Sequence, residues 1–323
     1  MASGGQREQA RMNIAELRAY FNGRFVPNAE ARFSVYDSGI IWGDIVFELT
    51  RSFRHVQFRL REHLERLYNS IKVVRIPLNI ALDEMEHIVH KTVEINEHLF
   101  DAEEEIRVMI NVSRGPLGIY REVFGGVLEP TVILDVYPLS ASVAGLAGMF
   151  QTGVHVVTPS QRAIPASLMD PKVKSRSRLY YQLANLESSA VDPAAWTLLL
   201  EPDGYLAEGS GSNFFLVKNG AMYTSEPRSV LRGISRQYVM ELAAKLGVPC
   251  YERDLSMYDV INADEAFFTA TPFCLMPATR INTLSIGSGV PGPIGHQLLE
   301  AWSQAVGVDI VGQIQRYADR LRK

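Results

Sequence analysis

The sequence predicts an α+β chain of two domains. The length of 323 residues suits two units of roughly 100–200 residues each. Strand and helix signals interleave without a regular strand–helix–strand period. The composition also changes midway, at YPLSASVAGLAGMFQT over 137–152, where residues become small and lose period. That stretch marks an expected linker at 138–152, between a smaller N-terminal domain over 1–137 and a larger C-terminal domain over 153–323.

Taken in order, RAYFNGRFVP reads as a hairpin turned by Asn22-Gly23, a pair that suits a two-residue turn. RLREHLERLYNSIKVVRI reads as a helix, because Leu60, Leu64, Leu67 and Ile71 share one face at three- and four-residue spacing. ALDEMEHIVHKTVEINEHLF repeats the pattern with Leu82, Met85, Ile88 and Val89. RVMINVSRG and TVILDVY are strands, the second apolar enough for burial. Past the linker, GVHVVT is a strand and SRLYYQLANLESSAV a helix. WTLLLE and NFFLVK are strands followed by turns at Pro202-Asp203-Gly204 and Asn219-Gly220. GISRQYVMELAAKLG is an amphipathic helix closed by Gly247. EAFFTAT is a further strand and PGPIGHQLLEAWSQAVG a late helix.

Composition removes several classes of function. Hydrophobic residues at 47% and charged residues at 21% form an ordinary globular balance. The net charge is −4, with no like-charge tail, so neither nucleic acid nor an anionic membrane is expected as a partner. No apolar run approaches the roughly 20 residues of a membrane span. The start, MASGGQREQARMNIAELRAY, lacks the apolar core of a secretory signal. Cys250 and Cys274 are too few for a disulfide framework, and no His/Cys cluster suggests a metal. Reduced thiols and a cytoplasmic, soluble enzyme are the expectation.

GxxxxGK[ST] and HExxH are absent. GSGSN at 209–213 precedes a strand rather than a helix, so it reads as a phosphate loop or as a tight turn. Leu231-Arg232-Gly233-Ile234-Ser235 runs straight into a helix, whose open amides beside a glycine suit an anion. The other reading there is a plain Ser235 N-cap. Thr269-Ala270-Thr271 ends a strand and offers a hydroxyl and an amide. Arg66 shares a helical face with His63 and Ser70, and points either inward, completing an anion cradle, or to solvent. Lys172 and Lys174 lie at the expected start of a helix, where the dipole disfavours a cation. Desolvated beside other cations, such a lysine loses its proton more easily and can form a Schiff base; otherwise it is a surface lysine.

Together these segments resemble the fold-type IV pyridoxal-phosphate enzymes, the class IV aminotransferases. The resemblance spans roughly residues 18 to 308 and rests on seven blocks in order. These are YFNGRFVP, VYDSGIIWGDIVFELTRSF, FRLREHLERLYNSIKVVRIPL, VKSRSRLYYQLANLES, GYLAEGSGSNFFLVKNG, VLRGISRQYVMELAAKLG and DEAFFTATPFCLMP. It implies the two-domain fold of D-amino-acid aminotransferases, pyridoxal 5′-phosphate as cofactor, and a homodimer. Lys174 then matches the lysine that bonds the cofactor and moves the proton. Glu208, in LAEGSGSN, matches the carboxylate that pairs with the pyridine nitrogen. Arg66, Gly233, Ile234, Ser235 and Thr271 match the phosphate cradle, Leu231 the residue beneath the ring, and Asn213 a supporting asparagine. Branched-chain enzymes usually carry a tyrosine five residues beyond the lysine. Here Leu179 stands there, with Tyr180 and Tyr181 following.

The implied activity is amino transfer between an apolar amino acid or amine and a 2-oxo acid. Trp42, Phe47 and Phe273 are candidate apolar walls. Arg51, Arg114 and Arg121 are candidate anchors for a substrate carboxylate, or else surface salt bridges. GDIVFELTR is most similar to the branched-chain amino-acid aminotransferases, whereas MDPKVKS and SGVPGPI resemble the (R)-amine transaminases. In VSRG, Arg114 falls on a carboxylate-binding arginine of D-amino-acid transaminases, but Ile40 and Leu117 replace their tyrosine and histidine. An aminodeoxychorismate-lyase type of elimination and a non-catalytic scaffold are the remaining alternatives.

Overall fold

The computed structural model describes residues 14–322. Residues 1–13, most of the segment read for a secretory core, and Lys323 lie outside them. Asn22 and Gly23 both take positive φ, 42° and 89°, and fold β1 (Arg18–Phe21) back onto β2 (Arg24–Pro27). With β3 (Ile45–Phe53), β4 (Val56–Gln57), β5 (Ile106–Ser113) and β6 (Thr131–Pro138), they form an antiparallel sheet ordered β2-β1-β6-β5-β3-β4. A short α1 (Ser38–Trp42) precedes β3, capped by the Asp37 carboxylate, which accepts from Gly39 N at 2.7 Å. Helices α2 (Leu60–Val74) and α3 (Leu82–Glu97) cover one face of the sheet. Leu60, Leu64, Leu67, Ile71, Met85, Ile88 and Val89 pack there against alternate residues of β5, from Ile106 to Val112.

A second sheet follows. Its strands are β7 (Val154–Val157), β8 (Trp196–Leu200), β9 (Leu206–Gly209), β10 (Asn213–Lys218), β11 (Ala221–Thr224), β12 (Cys250–Glu252), β13 (Glu265–Ala270), β14 (Cys274–Ile281) and β15 (Leu284–Ser285). The order is β12-β11-β10-β13-β14-β7-β8-β9, with β15 beside β14. The pairs β11–β12, β14–β7 and β7–β8 are parallel and the rest antiparallel. Between the two sheets the chain forms α4 (Ser140–Val143) and α5 (Met149–Thr152). Leu139, Val143, Ala144, Ala147 and Phe150 of this stretch are buried in the second core. The remaining helices are α6 (Leu179–Val191), α7 (Ile234–Lys245), α8 (Met257–Ile261), α9 (Pro293–Val306) and α10 (Ile310–Leu321). Among the described residues no helix is long and apolar enough to cross a membrane.

Two local expectations change. Lys174 lies outside any helix: α6 starts only at Leu179, and Lys174 is in an irregular segment, its C=O accepting from Phe47 N at 2.9 Å. The N-cap of α7 is Gly233, at φ −66° and ψ 136°, and Ser235 is the second residue of the helix.

Candidate active site

A polar pocket opens where the end of β13, the start of α7, the loop before β10 and the segment before α6 meet α2. Lys174 and Glu208 both line it. The Lys174 main chain is fixed by Phe47 on one side and by Ser70 on the other, its N–H donating to Ser70 Oγ at 3.2 Å. Its ammonium lies 4.9 Å from the centre of the Phe47 ring. Burial, the Arg66 charge and, further down, the Arg178 charge pull its pKa down to about 7, against the pull of Glu48 and Glu208.

Glu208 is buried at the end of β9. Its Oε1 accepts from the Tyr181 hydroxyl at 2.7 Å, and its Oε2 from Asn213 Nδ2 and Leu231 N, each at 3.0 Å. Burial raises its pKa, opposed by Tyr181, Arg178 and the Leu231 amide. Asn213 Nδ2 also donates to Leu231 O at 2.9 Å, tying β10 to the entry of α7.

The third side of the pocket is cationic and amide-rich. Ile234 and Ser235 open α7, so their N–H groups have no partner within the helix. Thr271 and the buried Thr269 line the same region, and the Thr269 hydroxyl has no hydrogen-bond partner. Arg66 is aimed there by a buried acid. Its Nε and Nη2 donate to the two oxygens of Glu48 at 2.6 and 2.8 Å, while Nη1 donates to Arg232 O at 2.8 Å. His63 Nδ1 lies 2.8 Å from the same carboxylate. Burial alone would raise the Glu48 carboxyl, but Arg66 and His63 hold it well below the usual carboxylate range.

The pocket thus brings together Arg66, Lys174, Glu208, Asn213, Leu231, Gly233, Ile234, Ser235 and Thr271, nine residues singled out from the sequence. Phe47 is buried against Lys174, and Phe273 is buried against Trp196 beside a neighbouring recess at Gly211 and Ser212. Trp42 is 70% exposed at the end of α1. The three candidate carboxylate anchors do not line this pocket. Arg51 is 1% exposed and is engaged by Ser52 O, Pro272 O and Gln313 Oε1 at 3.0–3.2 Å. Arg114 bonds Asp44 at 2.7 Å and closes the end of α2 through Val74 O and Arg75 O. Arg121 bonds Gly126 O at 2.7 Å in an exposed turn. In each case backbone carbonyls, helped in places by a carboxylate or an amide, already satisfy the guanidinium.

Sequence reasoning missed Glu48, Arg178 and Tyr181. An acid inside an apolar strand, VFELT, signals a required cationic partner, which would have found Glu48.

A buried lysine with a depressed pKa, a buried carboxylate and an anion cradle in one pocket are the parts of a site that binds a phosphorylated ring and reacts through an amine. The model of the family described as "Amino-transferase class IV" matches residues 45–281. A protein of Methanocaldococcus jannaschii, provisionally named a branched-chain-amino-acid aminotransferase, is 34% identical over 88% of this chain and 94% of its own length. The D-alanine aminotransferase of Bacillus licheniformis is 28% identical over 90% of this chain and 97% of its own length. Among solved structures, a T.th. branched-chain amino acid aminotransferase with pyridoxamine 5′-phosphate is 30% identical. It superposes with a TM-score of 0.78 over 93% of this chain and 96% of that one. Sequence, fold and pocket converge, and the chain belongs to the class IV aminotransferases.

Proposed function

We propose that the chain is a pyridoxal-5′-phosphate aminotransferase that moves an amino group between an apolar amino acid or amine and a 2-oxo acid, most like the branched-chain amino-acid aminotransferases. The observation that carries this reading is the entry of Lys174 and Glu208 into one pocket with the open start of α7. The residues fit the cofactor. The buried Thr269 hydroxyl has no hydrogen-bond partner, and Gly233 lets Asn213 approach the start of α7, because a Cβ there would overlap Asn213 Oδ1.

When bound, the cofactor supplies an electron sink for the carbanion left by loss of a Cα proton. The chain's own groups do the rest. Arg66, Thr271 and the amides of Ile234 and Ser235 would hold the phosphate at the start of α7 that Gly233 caps, and Leu231 would pack against the ring. Glu208, oriented by Asn213 and Tyr181, holds the ring nitrogen protonated. Lys174 would hold the cofactor in the resting protein; once the donor's amine has displaced it, its free Nζ would take up the donor's Cα proton and return it on the product side, and the acceptor half of the cycle would run these moves in reverse. Phe47 and Phe273 supply apolar wall.

Two further proposals complete the picture. The two sheets correspond to a smaller and a larger domain joined at 138–152, and the chain works as a cytoplasmic homodimer. The exposed row Leu179, Leu183 and Leu186 on α6 supports the dimer. A second reading, an (R)-amine transaminase, is favoured by the engagement of Arg51, Arg114 and Arg121 elsewhere, because an amine substrate has no carboxylate to anchor; a D-amino-acid transaminase is the remaining alternative.

The test is a half-reaction on the cofactor-loaded protein. L-leucine, D-alanine or (R)-1-phenylethylamine is added separately and the cofactor's absorption band is followed. Loss of the band with L-leucine is the expected result. Loss with (R)-1-phenylethylamine alone selects the second reading, and loss with D-alanine alone the remaining alternative. Lys174→Ala should bind the cofactor yet leave the band unchanged by any donor; normal turnover by that variant would remove Lys174 from its role.

A further inference from the structure

We propose that Arg178 holds the ring oxygen of pyridoxal 5′-phosphate, replacing the tyrosine that this chain lacks five residues beyond its lysine. The inference rests on the cofactor reading above and deepens it. The pyridoxal ring carries, in succession, the nitrogen, a methylated carbon, the hydroxyl-bearing carbon, the aldehyde-bearing carbon and the carbon of the phosphate arm. With the nitrogen on Glu208, the aldehyde carbon at Lys174 and the arm at the start of α7, the hydroxyl falls on the side away from the arm.

The two oxygens of Glu208 mark those two sides. Oε2 accepts from Leu231 N and Asn213, which lead to Gly233 and the start of α7. Oε1 accepts from Tyr181, whose ring lies 5.0 Å from the Arg178 guanidinium. Arg178 lines the pocket on that second side. Its Nε donates to Ser175 O at 2.8 Å, and it forms no ion pair among the described residues. The guanidinium also lies 5.0 Å from the Phe47 ring, which the Lys174 ammonium faces as well. Its charge acts on both Lys174 and Glu208.

Other candidates for the ring oxygen are committed elsewhere. Leu179 is exposed and apolar, the Tyr181 hydroxyl is donated to Glu208, and Tyr180 is stacked on Tyr181 at 4.3 Å. A guanidinium also suits an ionised oxygen better than a neutral phenol does, because a charge-assisted hydrogen bond is the stronger one.

The experiment measures equilibrium binding of pyridoxal 5′-phosphate and of its analogue lacking the ring hydroxyl, 3-deoxypyridoxal 5′-phosphate, to the cofactor-free protein. The unaltered chain should prefer the hydroxyl-bearing ligand by about tenfold or more, and Arg178→Met should lower that preference to about twofold or less. Arg178→Lys should recover part of it. Arg178→Gln keeps a donor for Ser175 O without the charge, and should behave as Arg178→Met does. Equal weakening of both ligands in the neutral variants, or an unchanged preference, overturns the proposal. An unchanged preference accompanied by a raised KM for the donor would instead assign Arg178 to the substrate carboxylate. Failure of the unaltered chain to bind either ligand would remove the cofactor reading itself.

Discussion

At Lys174 the main chain is pinned on both sides, so the side chain enters the pocket in a fixed direction beside Arg66 and Arg178. Burial and these two cations bring its pKa down to about 7, while Glu48 and Glu208 resist. The neutral amine is the nucleophile. Loading of the cofactor-free protein with pyridoxal phosphate should therefore accelerate as pH rises, about tenfold per unit below the midpoint, and level off above a midpoint of about 7. Glu48→Gln removes a charge that favours the ammonium, so the midpoint should move to lower pH. The same change releases Arg66 and should weaken phosphate binding by about tenfold, since a hydrogen-bonded charge pair is broken. Stopped-flow loading across pH 5–9 on both proteins reads both effects. A midpoint that moves upward in Glu48→Gln would contradict this account of the lysine.

Among the elements, α7 contributes most to the cradle, because its first turn faces the pocket with Gly233 as N-cap. Gly233 has an ordinary φ of −66°, so its requirement is space rather than backbone freedom. A Cβ there would overlap Asn213 Oδ1 and push away the amide that holds Glu208 and Leu231 O. Gly233→Ala should thus fold with a melting temperature within a few degrees of the parent and bind cofactor about tenfold more weakly, measured by fluorescence titration. Undiminished affinity would show that Asn213 can move without cost. This element was legible in the sequence as a glycine-entered amphipathic helix, as were α2, α3 and the Asn22-Gly23 hairpin, because each follows a short-range rule. β3 does not read as a strand from its sequence. Glu48, Thr50, Arg51 and Ser52 are all buried along with its apolar residues, which erases the alternation that marks a strand. The pairing of Arg66 with Glu48 crosses from α2 to β3, and no local pattern reports a contact of that kind.

Across the whole molecule, the two cores are joined by polar contacts that the sequence leaves invisible. Arg51 of β3 reaches Pro272 O and Gln313 of α10, and the Tyr317 hydroxyl of α10 accepts from Glu105 N at 3.1 Å. These contacts explain why an arginine proposed for substrate lies inside the protein instead. The outer face of α6 is bare: Leu179, Leu183 and Leu186 are 72%, 45% and 56% exposed at helical spacing. Ile40, Ile41 and Trp42 of α1 are exposed too, and Ser177 Oγ donates to Gly43 O at 3.0 Å, so α1 and the approach to α6 are neighbours. Apolar side chains this close together and this exposed gain by being covered, and a second copy of the chain offers the same surface. Sedimentation at micromolar concentration should therefore give the mass of a dimer. Leu183→Arg would place an unpaired charge in the covered face and should raise the dimer dissociation constant by about a hundredfold or more. Arg178, the residue before Leu179, lines the pocket, so a dimer formed here would bring its partner close to the site. If the parent chain sediments as a monomer, or if Leu183→Arg leaves the dimer intact, α6 does not carry the interface, and the exposed leucines need another explanation.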